Sequence, residues 1–176
     1  MAKMERDTEA NIGSSALKTP SGFRSSKNRS GIEWLGGRCV YALFKTKSFH
    51  WHMSGPHFRD YHLLLDEQAN QIFASIDPLG ERVRKIGQTT LKSISHVAKL
   101  AQIKDNDAGF VSAGNMINEL IGDNRAMAEA MRKCHSLCDD KDDVATASLL
   151  EIYIDETERR TWFLFETSRA AEKLGH

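Results

Sequence analysis

The stretch FRDYHLLLDEQANQIFASIDPLGERVRKI, residues 58–86, decides the fold. Tyr61, Leu65, Ile72, Ile76, Leu79, Val83 and Ile86 recur at spacings of three, four and seven, which is the stripe of an amphipathic helix. Ser54-Gly55-Pro56 breaks the chain before it, and Gly87 offers a C-terminal cap after it. Pro78 and Gly80 weaken the helix locally. At ~100° per residue, His62, Asp66, Asp77 and Glu81 fall on a band beside the stripe, neither core nor solvated back. Residues of an interface belong there.

The neighbouring segments read as further helices. One runs up to about Met53, its start obscured by Gly36-Gly37, which is poor helix material. Residues 88–111 form a connection with a short helix at Leu91 to Leu100. Ser112 is placed to N-cap a third helix reaching Cys138. Asp139-Asp140-Lys141-Asp142-Asp143 is a loop with four acids. A last helix spans Val144 to Glu172, with Ala147, Leu150, Ile154, Thr161 and Phe165 on one face. Four long helices without strand signals predict an all-α four-helix bundle over residues 32–176. Residues 1–31, polar and rich in Ser and Gly, read as a flexible basic tail.

The band residues are metal-ligand types. His50 closes the first helix, and the pattern continues as His62, Asp66, Asp77 and Glu81. His62 and Asp66 are four apart, as are Asp77 and Glu81, so each pair shares one helical face. Imidazole with several carboxylates and no thiolate suits ferrous iron, manganese or zinc. A single such pair is commonly just a surface ion pair; four residues on one band, with His50 closing the helix before them, are the stronger signal. Fifteen residues separate His62 from Asp77, roughly 22 Å along one straight helix. A site using both pairs then needs a second chain.

Composition narrows the classes. With 24 Lys and Arg against 24 Asp and Glu, the 176-residue chain is no overall polyanion binder. Three cysteines make no disulfide framework and fit a reducing compartment. The first residues have no apolar core, and no apolar run approaches the ~20 residues of a membrane span. A cytoplasmic location is expected, with nucleoid association if the tail binds DNA.

The segment from Lys45 to Phe58, with Phe49-His50-Trp51-His52 at its centre, resembles the signature of the Dps miniferritins, DNA-binding proteins from starved cells. The order His50, His62, Asp66, Asp77, Glu81 is similar to that family's, as are Glu81 to Gly87 and Asp155 to Trp162. The resemblance covers roughly residues 40–172. It implies a ferritin-like bundle assembled into a hollow dodecamer. It also implies ferrous iron bound at two-fold interfaces, oxidised preferentially by hydrogen peroxide and stored as ferric mineral. By match, His50, His62 and Asp66 come from one subunit and Asp77 and Glu81 from its neighbour. These five are the candidate metal and catalytic residues. The chain departs from the pattern at Gly36-Gly37, at His52 where Asn is usual, and at Pro78 and Gly80 between the outer carboxylates. Ferritins with a site inside each bundle use Glu-x-x-His motifs; no His here has Glu three residues before it.

Other signals are weaker. Trp51 is either a packing residue or an oxidisable neighbour of the site. Cys134, His135 and Cys138 lack a fourth zinc ligand and read as helix residues. The acidic loop is solvated in a monomer; the resemblance offers Asp142 and Asp143 for a pore. Lys3, Arg6, Lys18, Arg24, Lys27 and Arg29 against Glu5, Asp7 and Glu9 give the tail three net positive charges. Two functions follow: a peroxide-consuming ferroxidase and iron store that protects DNA, or mainly a nucleoid-binding structural protein acting through Lys18, Arg24, Lys27 and Arg29.

Overall fold

The computed structural model describes residues 26–100 and 103–169, with side chains from residue 31 onward. Its helices are α1 (Ser26–His52), α2 (Phe58–Lys85), α3 (Ile94–Leu100), α4 (Ala113–Asp139) and α5 (Val144–Ser168), and no strand occurs among the described residues. α1 packs with α2 and α4 with α5, each pair joined by a short turn and so antiparallel. α3, in the longer crossover, lies on α1. This is the expected bundle with a short helix between its second and third long ones.

The helix ends follow local chemistry. Ser112 accepts a hydrogen bond from Asn115 N–H and caps α4, as expected. At the end of α2, Gly87 has φ +78°; its N–H donates to Arg84 O at 2.9 Å and Gln88 N–H to Val83 O at 3.0 Å. This pair of bonds closes the orphan carbonyls of the last turn in a Schellman arrangement.

Several boundaries differ from the sequence reading: α3 starts at Ile94 rather than Leu91, and α5 ends at Ser168 rather than Glu172. α1 begins at Ser26, inside the segment assigned to the tail, so Lys27 and Arg29 belong to a helical backbone. Ser26 to Gly31 carries no large apolar side chain to reveal a face. Lys18 and Arg24 lie outside the described residues. α1 also runs unbroken through Gly36-Gly37. The glycines serve close approach: a Cβ on Gly37 would lie 2.9 Å from Leu100 Cβ, and one on Gly36 3.6 Å from Leu91 Cδ1.

The core has two apolar clusters. One gathers Leu35, Ile72, Leu79, Met131 and Leu150 with their neighbours; the other gathers Phe49, Leu65, Ile117, Leu120 and Leu164. Between them runs a buried polar layer of Thr46, Gln68, Asn124, Thr157 and Arg160. That layer corrects the α5 stripe. Ala147 and Leu150 are buried as expected, but beyond them the inward residues are Tyr153, Thr157, Arg160 and Leu164. Ile154 and Thr161 are only half-buried and Phe165 is exposed. Polar residues on the true inner face made an apolar stripe one position away look better.

Candidate metal centre

The turn between α1 and α2 brings His50, in the last turn of α1, against His62, in the second turn of α2. Their rings stack with centroids 3.7 Å apart at 23°. His50 Nδ1 donates to His62 O at 2.8 Å, and His62 Nδ1 donates to His50 O at 2.9 Å. A carbonyl only accepts, so both Nδ1 atoms carry the proton. This Nδ1-protonated tautomer leaves Nε2 as the ring nitrogen that can bind a metal, as a metal-ligating histidine requires. The His50 carbonyl lies among the last four of α1, which have no partner in their own helix, so His62 also closes the helix end.

Asp66, one turn after His62, puts Oδ1 4.0 Å from His50 Nε2. Two ligands each ~2.0–2.2 Å from one ion stand at most about 4.4 Å apart, so this separation is within reach of a shared ion. Lys47 hydrogen-bonds the same Oδ1 and holds the carboxyl below the usual carboxylate range. Sequence reasoning missed Lys47. Its signal was present: it precedes His50 by three residues on α1 and so shares that face.

Asp77 and Glu81 are exposed, one turn apart near the other end of α2. Because α2 continues through Pro78, the roughly 22 Å separation from His62 holds within one chain. Lys85 Nζ donates to Glu81 Oε2 at 2.8 Å and keeps that carboxyl ionised below its ordinary range. Both acids line an open groove with Phe73, Ile76, Gly80 and Leu91. The structure thus brings His50, His62 and Asp66 together and leaves Asp77 and Glu81 apart. Among the described residues, no three His, Cys, Asp or Glu side chains converge on one ion position.

The middle of the bundle is occupied differently. Arg160 Nε donates to Asn124 Oδ1 at 3.1 Å and its Nη2 to Thr157 Oγ1 at 2.6 Å, while Gln68 Nε2 donates to Arg160 O. Burial lowers the Arg160 pKa, yet a guanidinium stays charged in proteins. A buried cation among amides and hydroxyls is the wrong lining for a divalent metal. This agrees with the missing Glu-x-x-His motif.

The remaining candidates have plain surroundings. Trp51 is exposed, edge-on to Phe44 at 6.3 Å. His52 Nδ1 bonds Ser48 O, His57 tilts on Tyr61, and His96 Nε2 lies 3.7 Å from Glu33 Oε1. The acidic loop is not uniformly solvated. Asp143 is buried, accepts from Thr146 N–H as the N-cap of α5, and pairs with Arg82 at 2.5 Å. An Asp just before a helical run was the available sign of a cap.

A family model for the ferritin-like domain matches residues 38–173. The fold is similar to that of Dps from Thermosynechococcus elongatus, with a TM-score of 0.79, 25% identity, and coverage of 85% of this chain and 95% of that one. The chain belongs to the Dps family. A low temperature-induced protein of Nostoc is 32% identical over 123 residues, 69% of either chain. The DNA protection during starvation protein of Brevibacillus brevis is 28% identical over 137 residues, 78% of this chain and 88% of that one. Within this Dps-family chain, the matched region spans His50, His62, Asp66, Asp77 and Glu81. No helix among the described residues is long and apolar enough to cross a membrane.

Proposed function

We propose that this chain is the subunit of a Dps-type iron store, assembled as a hollow dodecamer that protects DNA. Ferrous iron is its substrate, hydrogen peroxide its preferred oxidant and ferric mineral its product. Each oxidation site combines His50, His62 and Asp66 of one subunit with Asp77 and Glu81 of a second.

One observation carries the reading: two histidines with Nδ1 locked and Nε2 free stand beside an ionised Asp66, while the other two carboxylates lie about 22 Å away on the same unbroken helix. A second copy is the way to supply them. Hard carboxylate oxygens favour ferric over ferrous iron, which drives electron loss. Two ferrous ions give one electron each to one peroxide, so its O–O bond breaks without releasing hydroxyl radical. With two waters, the products are two ferric oxyhydroxide units and four protons.

The test is ferrous oxidation followed with peroxide and with dioxygen, together with native mass. Rapid loss of ferrous ion with peroxide by a species near twelve subunits is expected. A stable monomer, or oxidation no faster than in protein-free buffer, contradicts the proposal.

A second reading, nucleoid binding, rests on the basic residues Lys18, Arg24, Lys27 and Arg29. One such segment binds weakly; many on one shell gain by avidity and lose affinity steeply with salt. Removing residues 1–25, which takes away Lys18 and Arg24, should weaken DNA retention while oxidation survives. An unchanged gel shift counts against this reading.

A further inference from the structure

At the end of the bundle remote from His50 and His62, two soft donors face each other. Cys134 and Cys138 lie on the last two turns of α4, four residues apart, so they share a face with Cβ atoms about 5–6 Å apart. Both are buried and both are free thiols. Gly31 of α1 faces Cys134: a Cβ there would stand 3.1 Å from Sγ, so a side chain is missing where the sulphur needs room. Cys39 is separate, buried in α1.

Cys138 beside it, burial and Asp143 push the Cys134 thiol well above its ordinary pKa, so the metal-free pair carries one thiolate at most. The adjacent Cys134 thiol, with Arg82 nearby, holds the Cys138 thiol below its ordinary pKa; a bound metal displaces the proton that Cys134 keeps, because the thiolate is the metal-binding form. Asp143 gives Oδ1 to Arg82 and to Thr146 N–H, while its buried Oδ2 has no hydrogen-bond partner. His135, next to Cys134 in sequence, supplies no imidazole to the pair. Its ring is held between Asp139 Oδ2 at 3.1 Å and Glu151 Oε1 at 3.2 Å.

The donor set is therefore two sulphurs and nothing else. Zinc seeks about four ligands and ferrous iron harder ones, whereas thiolates select the soft cuprous ion. We propose that Cys134 and Cys138 form a two-sulphur site for a single cuprous ion at the C-terminal end of α4. Both sulphurs bind as thiolates, and the protons they carry leave to solvent. The path in is short. α4 ends one residue after Cys138, helix ends open readily, and exposed Asp139, Asp140 and Asp142 draw cations to that end. The site is independent of the iron reading, since it uses none of His50, His62, Asp66, Asp77 or Glu81.

The full chain is titrated with cuprous ion under nitrogen, in competition with bathocuproine disulfonate. One ion retained per chain is expected, with near-ultraviolet sulphur-to-copper absorption saturating at that ratio. Cys134→Ser and Cys138→Ala should each abolish retention, while Cys39→Ser retains the ion. All three should still oxidise ferrous iron as the unaltered chain does. Loss of all copper to the chelator, or equal retention in Cys134→Ser, overturns the site. Should a variant fail to fold, copper X-ray absorption of the unaltered chain decides: two sulphur neighbours support the site, and nitrogen or oxygen neighbours contradict it.

Discussion

Replacing Gly36 and Gly37 separately with Ala should move stability in different directions, although the two residues are adjacent in the same helix. Either change removes a glycine from the interior of α1 and gains ~1 kcal/mol of helix preference. At Gly36 the new Cβ meets Leu91 Cδ1 at 3.6 Å, an ordinary contact with the tip of a side chain. Gly36→Ala is therefore stabilising by about 1 kcal/mol. At Gly37 the Cβ lands 2.9 Å from Leu100 Cβ, an atom fixed to the α3 backbone. Relief requires α3 to shift, and such overpacking costs ~1–3 kcal/mol. Gly37→Ala should fall below Gly36→Ala by that ~1–3 kcal/mol. Urea unfolding reads this as a midpoint difference on the order of 1 M for slopes of ~1–3 kcal/mol/M. Both variants must be compared at one protein concentration and one assembly state, because association adds to stability by mass action. Gly37→Ala matching or exceeding Gly36→Ala would refute the argument that α3 is seated through the missing side chain.

Two further outcomes follow from single contacts. Lys47→Met removes the ammonium that holds the Asp66 carboxyl low, so carbon NMR of the metal-free chain should show its titration rise toward the ordinary ~3.9. The sign follows from a depressed folded pKa: the Lys47–Asp66 contribution is present above the ordinary value and fades as pH falls through the lower one. An unmoved Asp66 titration would show that Lys47 is not its partner. Arg82→Ala leaves buried Asp143 without its cation and should cost on the order of 3 kcal/mol in denaturant unfolding; a loss below about 1 kcal/mol would rank the pair with surface bridges.

The sequence was most legible where residue type and helical period agreed. α2 was visible because Leu65, Ile72, Leu79 and Val83 are apolar at the right spacing, and all four are buried. The donors were visible because His and Asp at four-residue spacing are a chelating type. Reading failed where the inner face is polar. Thr157 and Arg160 are buried on the inner face of α5, and a period search passes over them. It also failed where one residue serves two elements. Gly37 looked like a helix breaker because its partner Leu100 is remote in sequence, and Asp143 looked like a loop acid because its partner Arg82 lies on α2. Lys47 belongs with them: an ordinary lysine until the fold sets Asp66 beside it.

The shared iron site is the central claim, and subunit mixing tests it most directly. His62→Ala and Asp77→Ala shells should each lose fast peroxide-dependent oxidation, because every site lacks a ligand. The two variants are then unfolded, mixed equally and reassembled. Random pairing makes about half of the two-fold interfaces mixed. In a mixed interface one site carries both lesions and the other carries neither, so roughly a quarter of all sites are intact. Recovery of about a quarter of the oxidation rate is the predicted result. No recovery, in shells shown by mass to contain both variants, would mean that no site combines His62 and Asp77 from different chains.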